Sequence, residues 1–353
     1  MSFVESNLLL ILSFSSFLIS LVFVGIWQYI LRSANILDKP NYRSSHVTPT
    51  PRAGGVGIFI SYFLAVGIYF AVTGDQLADE FYLFAGCSLV FFIGLWDDFY
   101  PASRRVRFLA QIIAAALILF WLAPVLDRWL SSWELHWIFI GLIAGVLLIG
   151  LVWSINLYNF MDGIDGIAGM ETVFIASSVA ILLIFKEADE LKLVYLLILV
   201  FSTLGFLWWN YPKAKVFLGD SGSGFLGLLI ASLSYWACFS ETIGLLTLLT
   251  LGSLFWLDAS LTIGKRLIQK EKIWEAHREH GYQILSRQWN SHSLVTFTYG
   301  VVNTFLVFPV AYIIEYNPKV GVVLFLSLVS ILTFLYFKIS NMERIKSGSR
   351  ASA

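Results

Sequence analysis

The sequence predicts an all-α integral membrane protein of about 11 transmembrane helices, with the N-terminus outside, the C-terminus in the cytoplasm and the unusual polar residues in cytoplasmic loops. Three observations predict it. Of the 353 residues, 58% are hydrophobic and only 13% charged, with a mean hydropathy of +0.78, which is too apolar for a water-soluble chain of this length. Long runs without a charged side chain recur along the whole chain. The basic residues fall almost entirely into alternate loops.

A hydrocarbon core about 30 Å thick needs about 20 mainly apolar helical residues. The first such run, Leu8 to Leu31, has no basic segment before it and exceeds the apolar stretch of a cleavable signal, so it is expected to remain as a helix. Ala53 to Val72, Phe81 to Trp96, Phe108 to Val125, Leu135 to Tyr158, Thr172 to Phe185 and Leu193 to Trp209 follow. Gly222 to Ser240, Thr242 to Leu257, Ser293 to Ile314 and Val320 to Phe337 complete the set. An odd number of spans puts the termini on opposite sides. Of the 23 Lys and Arg residues, all but Arg128, Lys186, Lys192 and Lys319 lie in one set of loops, which places that set in the cytoplasm. Residues 1–338 read as one polytopic domain, and residues 339–353 as a cytoplasmic tail expected to be disordered. The 23 acidic residues cancel the 23 basic ones, so no net field favours nucleic acid as a partner. Cys87 and Cys238 sit inside apolar runs and read as small buried thiols.

The polar clusters lie in the cytoplasmic set. Asp97 and Asp98 adjoin an apolar run and precede Arg104, Arg105 and Arg107; adjacent carboxylates repel, and a divalent cation or a guanidinium relieves them. Asn159, Asp162 and Asp165 recur every third residue in a glycine-rich stretch without a basic residue, an oxygen set suited to a hard cation. Gly219-Asp220-Ser221-Gly222-Ser223 opens an apolar helix, where Asp220 or Ser221 is placed to cap and the N-terminus favours anions. His277, Arg278 and His280 lie in the longest basic loop and suit phosphate, while an amphipathic helix on anionic lipid is the plainer reading. Lys39, Arg43, His46 and Arg52 sit in a turn rich in proline and glycine, where positive-inside anchoring explains them equally well. Acids that call for Mg2+ or Mn2+ among bases that call for phosphate point to phosphoryl transfer at the membrane surface.

With the Asp38 to Gly55 loop, Asp97-Asp98, Asn156 to Gly169, Gly219 to Ser223 and His277-Arg278-Glu279-His280 in this order, the chain resembles the bacterial polyprenyl-phosphate N-acetylhexosamine-1-phosphate transferases. That family includes the phospho-MurNAc-pentapeptide translocase and the initiators of O-antigen and teichoic-acid synthesis. The resemblance implies transfer of a sugar 1-phosphate from a UDP-N-acetylhexosamine to undecaprenyl phosphate, with release of UMP, by a multi-pass protein of the bacterial inner membrane whose site faces the cytoplasm. It implies Mg2+ on Asn159 and Asp220, contact with or deprotonation of the lipid phosphate by Asp97 and Asp98, and a nucleotide and sugar pocket shaped by Asp162 and Asp165. His277, Arg278 and His280 are implied to hold the nucleotide phosphates, and Lys39, Arg43, His46, Arg52 and Arg107 to supply further phosphate-binding charge. The bilayer is the other partner, and a homodimer is compatible with the family. Two departures stand out: many relatives carry Lys where this chain has Arg107, and the histidine loop is closer to the O-antigen initiating branch than to the pentapeptide translocases. The resemblance leaves direct attack and a covalent aspartyl-phosphate both open; direct attack is favoured, since an in-line displacement stabilised by charge needs no enzyme nucleophile.

Two other classes fit parts of the sequence. An Mg-dependent intramembrane prenyltransferase also pairs acidic motifs with a polyprenyl substrate, but Asp97-Asp98 does not supply its second motif. A secondary transporter would place acids in mid-span and show inverted repeats, whereas here the acids gather at span ends, with Asp258 the deepest.

Overall fold

The computed structural model describes residues 3–38, 48–131, 136–187, 190–272 and 277–351. Among them the regular structure is helical, apart from one isolated antiparallel bridge between Asp38 and Thr50. The helices are α1 (Phe3–Ser33), α2 (Gly55–Thr73), α3 (Phe81–Phe99), α4 (Arg104–Ser131), α5 (Trp137–Met161), α6 (Ile167–Phe185) and α7 (Glu190–Asn210). There follow α8 (Gly219–Phe239), α9 (Leu245–Leu251), α10 (Ser253–Ile268), α11 (Gly281–Trp289), α12 (His292–Val302), α13 (Phe308–Tyr316) and α14 (Pro318–Ala351). A π-helical turn over Asn303–Val307 joins α12 and α13 into one span.

Ten helices among the described residues are long and apolar enough to cross a membrane, and α9 with α10 makes an eleventh only as a pair bent by 75°. The protein is thus a multi-pass membrane protein with the expected number of spans. Where the sequence reads Thr242 to Leu257 as one span, the helix breaks at Gly252, a poor helix former. Neighbouring helices satisfy the backbone freed by such a break. Helix α14 continues past the apolar run to Ala351.

The core is organised around α8. Every residue from Ser221 to Ile230 is buried, so this helix is covered all round rather than on one stripe. Small residues bring its neighbours close. A Cβ on Gly55 of α2 would stand 2.2 Å from Gly222 Cα, one on Gly94 of α3 2.5 Å from the Asp220 carbonyl, and one on Gly227 of α8 itself 2.5 Å from the Ser154 carbonyl of α5. Ser154 Oγ then donates to the Gly227 carbonyl at 2.8 Å. By contrast α5 is apolar on its outer face, where Leu142, Val146 and Ile149 are exposed as lipid-facing residues are. The close contacts matter because the ends of α3 and α5 and the start of α8 meet at one end of the bundle.

Gly94→Ala is expected to force α3 away from the first turn of α8 and to cost about 1–3 kcal/mol, the usual penalty of overpacking. Gly67→Ala, where a Cβ meets nothing within 4 Å, is the control that loses no stability, since alanine is the better helix former. Thermal unfolding of the two variants in detergent checks this.

Candidate active site

Asp97 and Asp98 lie in the last turn of α3, Asn159 in the last turn of α5, and Asp220 is the second residue of α8. Helix α8 starts at Gly219, whose φ of +80° suits glycine and where a Cβ would stand 2.5 Å from Asp98 Oδ2. Into this gap Asp98 inserts its carboxylate. It accepts the backbone N–H of Asp220 at 2.8 Å, the N–H of Ser221 at 3.1 Å and the Ser221 hydroxyl at 2.6 Å. The cap of α8 therefore comes from the neighbouring helix. This corrects the expectation that Asp220 or Ser221 caps it, and the physical reason is that α3 packs close enough for Asp98 to reach the orphan donors first.

Released from capping, Asp220 faces the other acids. Its Oδ1 accepts from Asn159 Nδ2 at 2.9 Å, and Asn159 also reaches Ser223 Oγ at 3.3 Å. Arg107 Nη1 lies between two carboxylates, 3.1 Å from Asp220 Oδ2 and 2.6 Å from Asp97 Oδ2. Asp97 Oδ1 accepts from Ala102 N at 2.6 Å. Arg52 pairs with Asp38 at 2.9 Å and remains close enough to act electrostatically on Asp98 and Asp220. Among the described residues Asp162 has no hydrogen-bond partner. Its burial, then the charges of Asp220 and Asp98, push its carboxyl well above the ordinary range against the pull of Arg52. No three His, Cys, Asp or Glu side chains among the described residues converge on one point as metal ligands do.

Three cavities are relevant here, of which one borders this cluster directly. The first, of roughly 490 Å3, is lined by Arg107, Asn156, Asn159 and Asp220. Asn156 Nδ2 donates to Gln111 Oε1 at 2.9 Å on its wall. An apolar groove of roughly 620 Å3 shares Phe108, Asn156 and Phe160 with it and continues over Ile112, Leu148 and Trp153. That groove opens toward lipid, since Phe108 and Ile149 at its rim are 55% and 67% exposed. The other polar cavity, of roughly 440 Å3, is lined by Asp165, Phe217, Lys213, Arg278, Arg287 and His292. Asp165 is turned toward it, with Oδ2 on the Ala214 N–H at 3.0 Å and Oδ1 3.2 Å from His292 Nδ1.

The structure thus gathers Asp97, Asp98, Asn159, Asp220 and Arg107, sets Asp162 beside them, and sends Asp165 and Arg278 to the other polar cavity. His277 and His280 are not among the residues that line these three cavities. His280 is buried with its Nδ1 3.2 Å from Asp258 Oδ1, and His277 stacks on it at 4.9 Å between ring centroids. Burial, then the neighbouring His280 and Arg266, push the His277 imidazole down to about 4. Lys39, Arg43 and His46 lie outside the described residues. Sequence reasoning misses His292 and Lys213, since nothing in their spacing links them to Asp165. It also misses the Gln111–Asn156 pair, although two amides inside apolar runs were a visible signal.

Fold and site define a multi-pass helical membrane protein with an acidic, oxygen-rich centre at one end of its bundle. The family model described as glycosyl transferase family 4 matches residues 80–237. The chain is 30% identical, over 79% of its length and 78% of the relative's, to a probable undecaprenyl-phosphate N-acetylglucosaminyl 1-phosphate transferase of Bacillus subtilis. It is 28% identical to an undecaprenyl-phosphate alpha-N-acetylglucosaminyl 1-phosphate transferase of Thermotoga maritima, over 77% of this chain and 80% of that one. A phospho-N-acetylmuramoyl-pentapeptide-transferase of Kosmotoga olearia is 32% identical over 65% of this chain and 74% of its own. The chain belongs to glycosyl transferase family 4, with the polyprenyl-phosphate sugar-1-phosphate transferases.

His277 supplies a pH test. Its native pKa is depressed, to about 4 from an ordinary 6.5, so between these values the unfolded chain holds a proton that the native ring refuses. Stability from this residue is full above pH 6.5 and is lost as pH falls toward 4. Between pH 7 and pH 4 the unfolding midpoint of the wild type is expected to fall further than that of His277→Gln.

Proposed function

We propose that the protein transfers N-acetylhexosamine 1-phosphate, with N-acetylglucosamine the leading donor sugar, from its UDP derivative to undecaprenyl phosphate. The products are the lipid-linked diphospho-sugar and UMP. The observation that carries this reading is the continuity of the acidic cavity with an apolar groove that opens to lipid, a shape that suits a phosphate head on a long isoprenoid chain. The relatives' names agree with it. The positive bias of one set of loops supports a cytoplasmic face for the site and an inner-membrane location. Initiation of an envelope polysaccharide of the O-antigen kind follows from the histidine loop's resemblance.

The residues present fit a hard divalent cation: the carboxylates of Asp97 and Asp220 supply oxygen ligands, the Asn159 amide, whose NH2 now donates to Asp220, would turn its oxygen inward, and Asp162 lacks a partner of its own among the described residues. Asp220 and Asn159 would hold Mg2+ or Mn2+, which supplies charge neutralisation for the donor pyrophosphate. Arg107, now between Asp97 and Asp220, would turn its guanidinium to the lipid phosphate, a bidentate match to its oxygens. Asp97, freed of Arg107, would contact the incoming lipid phosphate, while Asp98 keeps α8 and Asp220 in position. Asp165, Arg278 and their cavity would take the nucleotide end of the donor, and Asp162 stands between the two ends. An oxygen of the lipid phosphate forms the new bond to the donor phosphorus that bears the sugar, and the bond to the UMP oxygen breaks. The electrons of that bond leave on UMP, so no enzyme nucleophile is needed.

Purified protein given undecaprenyl phosphate, Mg2+ and a panel of UDP-N-acetylhexosamines is expected to release UMP only when the lipid is present. EDTA should abolish release, and Asp220→Asn should lower it on the order of 100-fold, as loss of one charge-stabilising group does. Absence of lipid-dependent UMP release with every donor, beside solute uptake in proteoliposomes, would overturn the reading in favour of a transporter.

A further inference from the structure

Asp258 lies on α10, 4% exposed, and is the acid that sequence reasoning finds deepest in a span. It is not an isolated buried charge. Its Oδ1 accepts the Gly281 N–H at 2.9 Å and the Thr262 hydroxyl at 3.2 Å, and lies 3.2 Å from His280 Nδ1. Its Oδ2 accepts the Tyr282 N–H at 3.0 Å and the Tyr299 hydroxyl at 3.3 Å. Gly281 and Tyr282 open α11, so the carboxylate caps that helix from another element. Converging donors of this kind repay the desolvation of a buried carboxylate.

What α11 carries from there leads to the acidic centre. Tyr282 is fully buried, and its hydroxyl donates to the Phe160 carbonyl at 2.8 Å, within the last turn of α5. A Cβ on Gly163 would stand 2.1 Å from the same hydroxyl, so the chain on either side of Asp162 is moulded to it. His280, stacked on Phe160 with centroids 6.3 Å apart and planes at 24°, backs the same turn. Asn159 and Asp162 flank this anchored pair of residues.

We infer that Asp258 is a positioning residue: through the cap on α11 and the Tyr282 hydroxyl it fixes the end of α5, and so the placement of Asn159 and Asp162 against Asp220. The chain of contacts runs Asp258, Tyr282, Phe160, Asn159, and it gives the buried acid of the bent α9–α10 pair a task other than ion transport. The consequence for turnover rests on the transferase reading, while the consequence for the end of α5 does not.

Two variants test it. Asp258→Asn keeps the shape but puts an amide NH2 where one acceptor was; Tyr282→Phe leaves the cap intact and removes only the link to Phe160. Hydrogen exchange of the full-length protein in detergent is expected to quicken over residues 159–166 in both variants, while the first turn of α8 stays unchanged in Tyr282→Phe. In the transfer assay kcat should fall about 10-fold or more in each, with the donor KM within about twofold, because displaced groups cost rate more than ground-state binding. The double variant should be no worse than the poorer single one, since both cut one path. A purely structural cap predicts otherwise: a lowered melting temperature in Asp258→Asn, with Tyr282→Phe indistinguishable from wild type in exchange and in kcat. That result, or additive losses in the double variant, would overturn the inference. Absence of transfer in the wild type would remove the transferase reading alone, and the exchange data would still decide the role of Asp258.

Discussion

The start of α8 is held by a carboxylate from another helix, and the site depends on that contact. Asp98 takes two backbone donors and the Ser221 hydroxyl, which leaves no room for a side chain at Gly219 and leaves the Asp220 side chain unspent. In hydrocarbon an unsatisfied N–H costs several kcal/mol, so a span that begins at an active centre needs such a partner. Close packing of glycine on α8 makes the reach short enough: α3 approaches at Gly94 and α2 at Gly55. One arrangement therefore answers the backbone requirement and delivers Asp97, Asn159 and Asp220 to a common point.

That point has an electrostatic problem of its own making. Four carboxylates, those of Asp97, Asp98, Asp162 and Asp220, share a small region with the Arg107 guanidinium set between two of them. Asp98 is quieted by helix donors and Asp97 by Arg107, while Asp162 among the described residues has neither. A site arranged like this is attractive to a cation and, once neutralised, to phosphate. In the proposed transfer the apolar groove beside it would let a lipid bring that phosphate sideways from the membrane, and the separate polar cavity at Asp165 and Arg278 would take a second substrate.

Much of this was legible in the chain. Spans follow from charge-free runs, because the bilayer demands length and apolarity wherever a helix crosses. The acids stand out because Asp97-Asp98 directly adjoins an apolar run and Asp162 and Asp165 have no basic residue in their stretch, so each wants a partner. What stayed hidden is what depends on which helices touch. Asp98 and Asp220 read as equals, yet α3–α8 packing makes one a cap and frees the other. His277 and His280 read as surface cations, yet α11 folds back on α10 and buries His280 against Asp258. His292 and Arg287 join Asp165 only through the tertiary course of the chain. The bend at Gly252 is local in origin, but an apolar run containing one glycine does not announce whether it breaks.

We propose that the Asp220–Asn159 end of the bundle holds a hard divalent cation, and Mn2+ titration followed by electron paramagnetic resonance tests this without substrate or turnover. One Mn2+ is expected to bind per chain, to be displaced by excess Mg2+, to be lost in Asp220→Ala and to be retained in Asp258→Ala at weaker affinity. Binding that survives Asp220→Ala unchanged, or no binding by the wild-type protein, would contradict it.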